Sequence, residues 1–283
     1  MSLQNKIDFA LIFSVNRANP NGDPLNGNRP RTDYDGFGEV SDVCLKRKIR
    51  DRLQDAGEQI FVQSDEKKTD GMPNLRARAK TVLGKDALKV DKKNPSKKEE
   101  IAKHACKEWI DVRSFGQLFA FGKGGDDASG VSIPIRGPVS IQSAFSIEPV
   151  SITSTQIVKS VNAEEAKGKS DISSDRMGMK HRVDRAVYVA FGGMTPQLAE
   201  RTGFNNEDAE KIKKTLPKLF EGDASSARPE GSMVVEKLIW WEHNCRSGQH
   251  SSAKVHRTLN VNPDGSYTIN HINGLTPEEI PGF

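Results

Sequence analysis

The order of apolar segments predicts an α+β fold, one elaborated domain whose core runs strand, helix, strand, strand, helix, strand. Three observations predict it. Four runs have strand length and composition: Ile7–Val15, Val139–Ile147, Arg185–Phe191 and Met233–Asn244. A helical pattern follows the first run and another precedes the last. Between the second and third runs lies a polar excursion too long for a hairpin turn, the kind of segment that is usually functional or without fixed structure.

The first strand, Ile7–Val15, is a continuous apolar run stopped by Asn-Pro-Asn-Gly, so it reads as buried and running into a loop. That loop, "RANPNGDPLNGNRPR" from Arg17 to Arg31, is built of turn formers and hydrogen-bond donors. Ser41 is placed as the N-cap of a helix whose Leu45, Ile49 and Leu53 share one face, and Gly57 stops it. Its other faces carry Lys46, Arg47, Lys48, Arg50 and Arg52.

From Ser64 to Gly130 the chain changes character. "KVDKKNPSKKEE" reads as a solvated insertion with a helix beginning near Ser96, "EWIDVRSFGQLFAF" as a better-packed piece, and "GKGGDDASG" as a glycine-rich loop. Val139–Ile147 alternates at period two, a strand with one buried face, and Arg185–Phe191 behaves alike. A helix capped by Asn205 or Asn206 leads to the last strand, and the tail holds a weak strand and two Pro stops. The core therefore comprises residues 1–63, 131–150 and 181–245, with insertions at 64–130 and 151–180 and a C-terminal extension at 246–283. This is the β-α-β-β-α-β order of ferredoxin-like folds, shared by RNA-recognition-motif domains. Helices on one face of such a sheet are expected to leave the other face free, and RNA-binding modules of this class use that face or the loops around it.

Composition narrows the function. Net charge is only +4, so an anionic partner must be met by local patches. Aromatics make up 6%, too few for a surface that relies on base stacking. Cys44, Cys106 and Cys245 are odd in number and far apart, which argues against a disulfide framework and fits a reducing cytosol. With no signal-type N-terminus and no apolar run near the ~20 residues of a membrane span, a cytoplasmic chain without membrane partners is expected.

Lys46 and Arg50 are i, i+4 neighbours that can face one phosphate track, beside a helix N-terminus that favours anions. A solvated helix face with Asp42 and Asp51 as partners accounts for the same charges. Arg113, Arg136, Lys180, His181 and Arg182 fall at strand ends or in the excursion, and Met177 and Met179 are packing residues or wedges between bases. His243, Cys245, His250 and His256 lie within 14 residues, but their spacing does not match paired-ligand zinc patterns, so no metal is expected. Phosphate-loop and nucleophile motifs are missing, and no cofactor is expected. Asp23, Asp33 and Asp35 read as turn formers, with Mg²⁺ binding or action on a ribose hydroxyl as the competing role.

The loop and helix "NPNGDPLNGNRPRTDYDGFGEVSDVCLKRKIRD", the element "DVRSFGQLFAF" and the strand "IRGPVSIQSAFSI" together resemble the backbone subunit of type I CRISPR surveillance complexes (Cascade), in its I-C form, over nearly the whole chain. The resemblance implies an RNA-recognition-motif palm with a finger insertion at 64–130 and a thumb at 151–180. It implies several copies stacked along one CRISPR RNA, binding without chemistry, and a guide left free to pair with a target DNA strand. Other Cascade subunits and a recruited helicase-nuclease are the implied partners. The RNA-binding residues it implies are Asn19, Asn21, Arg29 and Arg31 in the loop with Arg17 at its start, and Ser41, Lys46, Arg47 and Arg50 on the helix. Arg113, Arg136, Gln142, Ser143, Met177, Lys180 and His181 complete the set. Related type III backbones cut RNA with a loop acid, which would fall to Asp23 or Asp33 here.

Overall fold

The computed structural model describes residues 1–84, 95–121, 131–158 and 177–283. The charged stretch around 85–94, the glycine-rich loop 122–130 and most of the polar excursion, 159–176, lie outside them.

One antiparallel sheet organises the chain. Its path is β14 (Glu278–Pro281), β11 (Met233–Glu242), β1 (Ile7–Ala18), β10 (Met177–Met194), β8 (Ala144–Pro149) and β4 (Phe37–Val40). β1 lies between β10 and β11, with Phe9 opposite Gly192 on one side and Trp240 on the other. The four strands expected from the sequence thus lie in the order fourth, first, third, second, all antiparallel. The second of them is in fact two: β7 (Val139–Ile141) pairs with Gly192–Met194, and β8 pairs with Tyr188 and Val189. The break falls at Gln142 and Ser143, where the Gln142 N–H donates to the Phe191 carbonyl at 2.8 Å. Gly192 permits the packing beneath, because a Cβ there would lie 2.2 Å from the Phe9 ring.

Odd-numbered residues of β1, from Ile7 to Val15, face α1 (Asp42–Asp55) and α6 (Asn206–Thr215), meeting Leu45, Ile49, Leu53 and Ile212. The expectation of a free opposite face fails. Ala10, Ile12, Val187, Val189, Ile239 and Trp241 are buried there beneath Val255, Leu259, Ile272 and Leu275 of the C-terminal extension. The cause is legible afterwards. β1 is apolar at both parities and β11 carries Leu238–Trp241 unbroken, the pattern of strands buried on both faces.

The insertion has a core of its own. α2 (Leu75–Leu83), α3 (Pro95–Glu108), α4 (Ile110–Phe115), β5 (Gly116–Phe121) and β6 (Val131–Arg136) gather around Phe61, Trp109 and Phe119, whose ring centroids lie 4.7–6.4 Å apart. Beyond the sheet, β9 (Ile152–Val158) pairs with Met177–Val183 as a two-stranded ribbon, so both described ends of the excursion continue strands. α5 (Pro196–Thr202) precedes α6, and the C-terminal extension adds α7 (Ser252–His256), β12 (Leu259–Val261) and β13 (Tyr267–Ile269). No described helix is long and apolar enough to cross a membrane.

Candidate nucleic-acid interface

The loop after β1 is held by its own amides. Arg17 takes φ 54°, and Asn19 then turns inward at 3% exposure, its Nδ2 donating to the Asn28 carbonyl at 2.7 Å. Asn21 Oδ1 accepts from both the backbone N–H (3.0 Å) and the hydroxyl (2.8 Å) of Ser41. Ser41 Oγ accepts from Cys44 N–H, so Asn21 steadies the residue that caps α1. Asp23 accepts from Leu25 N–H and pairs with Arg31 at 3.5 Å, across the short hairpin of β2 (Gly22–Asp23) and β3 (Arg29–Pro30). Asp33 Oδ1 accepts from the N–H groups of Asp35 and Phe37. The two acids are engaged as turn formers. Arg17 and Arg29 remain exposed, with no ion pair among the described residues.

The cations of α1 have fates the spacing did not show. Lys46 pairs with Asp42 at 2.9 Å, and Arg47 pairs with Asp51 while donating to the Val62 carbonyl. Lys48 is buried against Asp223. Arg50 turns into the protein at 13% side-chain exposure, its Nε 2.9 Å from Asp111 and its guanidinium 5.2 Å from the Phe115 ring centre. Asp111 also accepts from the N–H groups of Phe61 and Val62, so this pair ties α1 to the insertion. Lys46 and Arg50, expected to share a phosphate track, are thus each paired with a different acid in this structure. Arg113 is likewise taken, gripping Asp208 through two bonds of 2.9 and 2.8 Å while Asp208 completes the capping box of α6.

What the loop and the ribbon do build together is a groove of about 340 Å³. Asn19 and Asn28 line one side, Ile157, Met179, Lys180 and His181 the other, and Ser226 with Ala227 close it. His181 Nδ1 lies 2.8 Å from Ser154 Oγ, while Lys180 is exposed and has no ion pair among the described residues. Met177, Met179, Ile157 and Val158 are all at least half exposed, an apolar rim on the ribbon. The Oδ1 of Asn19 is buried beside this groove with no hydrogen-bond partner. The wall supplied by Ser226 and Ala227 carried no signal in the sequence, because it is joined to the loop through the Asn19 N–H to Ala227 carbonyl bond.

The family model described as CRISPR-associated protein Cas7 matches residues 5–276. The chain belongs to the Cas7 family. A Haloferax volcanii protein described as CRISPR-associated protein Cas7 is 27% identical over 291 residues, covering 96% of this chain and 80% of that protein. Among solved structures, a chain from a "CRISPR RNA-guided surveillance complex, pre-nicking" is similar at 16% identity and TM-score 0.49, covering 83% of this chain and 75% of that one. A second, from a "CRISPR RNA-guided surveillance complex", has 16% identity and TM-score 0.44, covering 92% and 77%.

The remaining residues lie elsewhere on this Cas7-family chain. Gln142 is exposed and Ser143 half-buried at the β7–β8 break, and Arg136 is exposed at the end of β6, opening onto a different groove. His243 and His256 both approach buried Asp8, at 2.9 and 3.7 Å, while His250 turns elsewhere. His243 donates from Nε2 to buried Asp8 at 2.9 Å and accepts the Gln249 N–H on Nδ1, which fixes its tautomer. His250 donates to the Asn273 carbonyl and His256 to the Gly192 carbonyl. Among the described residues, no three metal-ligating side chains come together. Burial pushes the Asp8 carboxyl up, but hydrogen bonds from His243, Ser252 and Lys6 outweigh it and hold the group below the usual range. Burial pulls His256 down.

Proposed function

We propose that this chain is the CRISPR RNA-binding backbone subunit of a type I surveillance complex, in the I-C form, working in the cytoplasm. Several copies stack along the guide spacer, hold its backbone, and leave its bases free to pair with a target DNA strand. Other subunits and a recruited helicase-nuclease complete the assembly. Protein then reads backbone while pairing reads sequence.

The observation that carries this reading is the groove between the first loop and the ribbon. Phosphates and ring oxygens of a polynucleotide backbone only accept hydrogen bonds, whereas a ribose 2′-OH donates. Exposed Lys180 suits those phosphates, and Met179 with Ile157 offers an apolar face to sugar or base. Arg17 and Arg29 add uncompensated charge on the same loop. The strand order β11, β1, β10, β8 with α1 and α6 on one face supports reading the centre as an RNA-recognition-motif palm. In this reading residues 64–130 are the finger, 151–180 the thumb, and 246–283 the cover on the sheet's second face. The chain acts without catalysis, in keeping with Asp23 and Asp33 being engaged in turns.

The test is the nucleic acid carried by the chain when it is expressed with its locus partners. RNA of one spacer-derived length class is expected after nuclease treatment. Preparations carrying no RNA, or only random fragments, would overturn the reading.

A further inference from the structure

A second groove lies between the insertion and the helices after β10. Two cavities of about 640 and 470 Å³ share Lys103, Cys106, Glu200, Arg201 and Thr202, and so form one channel. α3 forms one wall and α5 another; β6 forms the third. Ile133, Pro134, Ile135 and Arg136 all line it. A strand presenting a face contributes alternate residues, so four in succession mean that β6 presents its edge. β6 pairs with β5 on one side, and no described strand lies on the other.

The charges along the channel are unevenly compensated. Lys103 pairs with Glu99, Arg113 with Asp208, Lys211 with Glu58, and Glu200 with Arg246. Lys98, Lys107, Arg136 and Arg201 have no ion pair among the described residues, and Glu207 is the one lining acid in that position. Between these cations the floor is apolar, formed by Ala102, Cys106, Ile133 and Ile135. Burial pushes the Cys106 thiol up to about 11, so it serves as packing and not as a nucleophile.

We propose that this channel is a docking site for an extended acidic segment of a partner protein, laid along the free edge of β6. Carboxylates on that segment meet Lys98, Lys107, Arg136 and Arg201, and its apolar side chains fill the floor. Edge amides of β6 supply main-chain hydrogen bonds, interrupted at Pro134, which has no N–H. Nucleic acid suits the channel less well. No aromatic side chain lines it for base stacking, and Glu99, Glu200 and Glu207 stand along the path a phosphate backbone would follow.

The test uses the full chain and three fluorescent probes: a peptide of alternating Glu and Leu, a Lys-Leu counterpart, and a single-stranded RNA, each about ten units long. Lys107→Glu combined with Arg201→Glu changes two exposed side chains of the channel and is checked for retained fold by circular dichroism. The Glu-Leu peptide is expected to bind in a salt-sensitive way and to lose at least about tenfold in affinity in the variant, because like charges then face each other. The RNA probe is expected to bind both proteins equally. Equal peptide binding to both proteins would overturn the proposal. So would an RNA affinity that falls in the variant while peptide binding holds, which would make the channel a nucleic-acid groove. A third overturning outcome is self-association lost in the variant with no peptide binding to either protein, which would make the occupant a second copy.

Discussion

Arg50→Ala, Lys46→Ala and Asp111→Ala separate two cations that look equivalent on a helical wheel. Arg50 has 13% side-chain exposure and Asp111 1%, and their 2.9 Å contact joins α1 to the insertion. Removing one partner of such a buried pair leaves the other charge uncompensated, a loss of about 3–5 kcal/mol. Lys46 faces Asp42 at the surface, where an i, i+4 pair contributes at most about 1 kcal/mol. Asp111→Ala is worse than Arg50→Ala, because the N–H groups of Phe61 and Val62 lose their acceptor too, adding about 1–3 kcal/mol. At about 2 °C per kcal/mol for a chain of this size, Arg50→Ala lowers the melting temperature by about 6–10 °C and Lys46→Ala by at most about 2 °C. Thermal melts of the RNA-free chain, followed by circular dichroism, give the order directly. An Arg50→Ala melt that overlays the Lys46→Ala melt while guide binding falls would refute the structural role and return Arg50 to the RNA.

Four further outcomes are expected. Lys180→Ala with Arg29→Ala weakens single-stranded RNA binding and reduces the slope of log affinity against log salt by about 0.7 per lost phosphate contact, read from titrations at several salt concentrations. A 2′-deoxy version of the same oligonucleotide binds the chain less tightly, as read by competition. Asp23→Ala and Asp33→Ala leave RNA integrity unchanged with and without Mg²⁺, since both acids act on backbone N–H groups; gel assays of labelled RNA check this. His256, lowered by burial, binds a proton more readily when unfolded, so its contribution is present above its unfolded pKa of about 6.5 and is lost as pH falls through the folded value. Urea midpoints measured from pH 7.5 to 5 show a decline that is smaller in His256→Gln.

Elements set by local rules were legible in the sequence. Ser41 caps the helix it was expected to cap, Asn205 is the cap of the two candidates Asn205 and Asn206, and β1 ends where Asn-Pro-Asn-Gly ends it, because a cap or a turn depends on residues within a few positions. The long-range features were not legible. Arg50 finds Asp111 and Arg113 finds Asp208, 61 and 95 residues away, and helical spacing contains nothing about either partner. The cover on the sheet's second face was hidden differently. Val255, Leu259, Ile272 and Leu275 are apolar points scattered through a polar tail, too sparse to show a period, yet each is at least nine-tenths buried. Met177–Val183 lacks the alternation of a half-buried strand because the ribbon it forms with β9 stands off the core, with neither face well buried.

A density of basic residues along a helix is weak guidance to an anion-binding surface for a reason visible in α1. With net charge only +4, cations in this chain have acids available, and folding uses two of the buried pairs to tie the insertion to α1 and α6. The informative cations are those left over. Arg17, Arg29 and Lys180 are left on the loop and ribbon, and Lys98, Lys107, Arg136 and Arg201 around the channel beside β6. The two sets differ in what accompanies them. The first lies near an open groove and an exposed methionine rim, which suits a nucleic-acid backbone. The second surrounds a free strand edge and an aliphatic floor, which suits a peptide. On the proposed readings the first set would hold a polynucleotide and the second a protein segment, the neighbours of each cation, and not its charge alone, setting what it would bind.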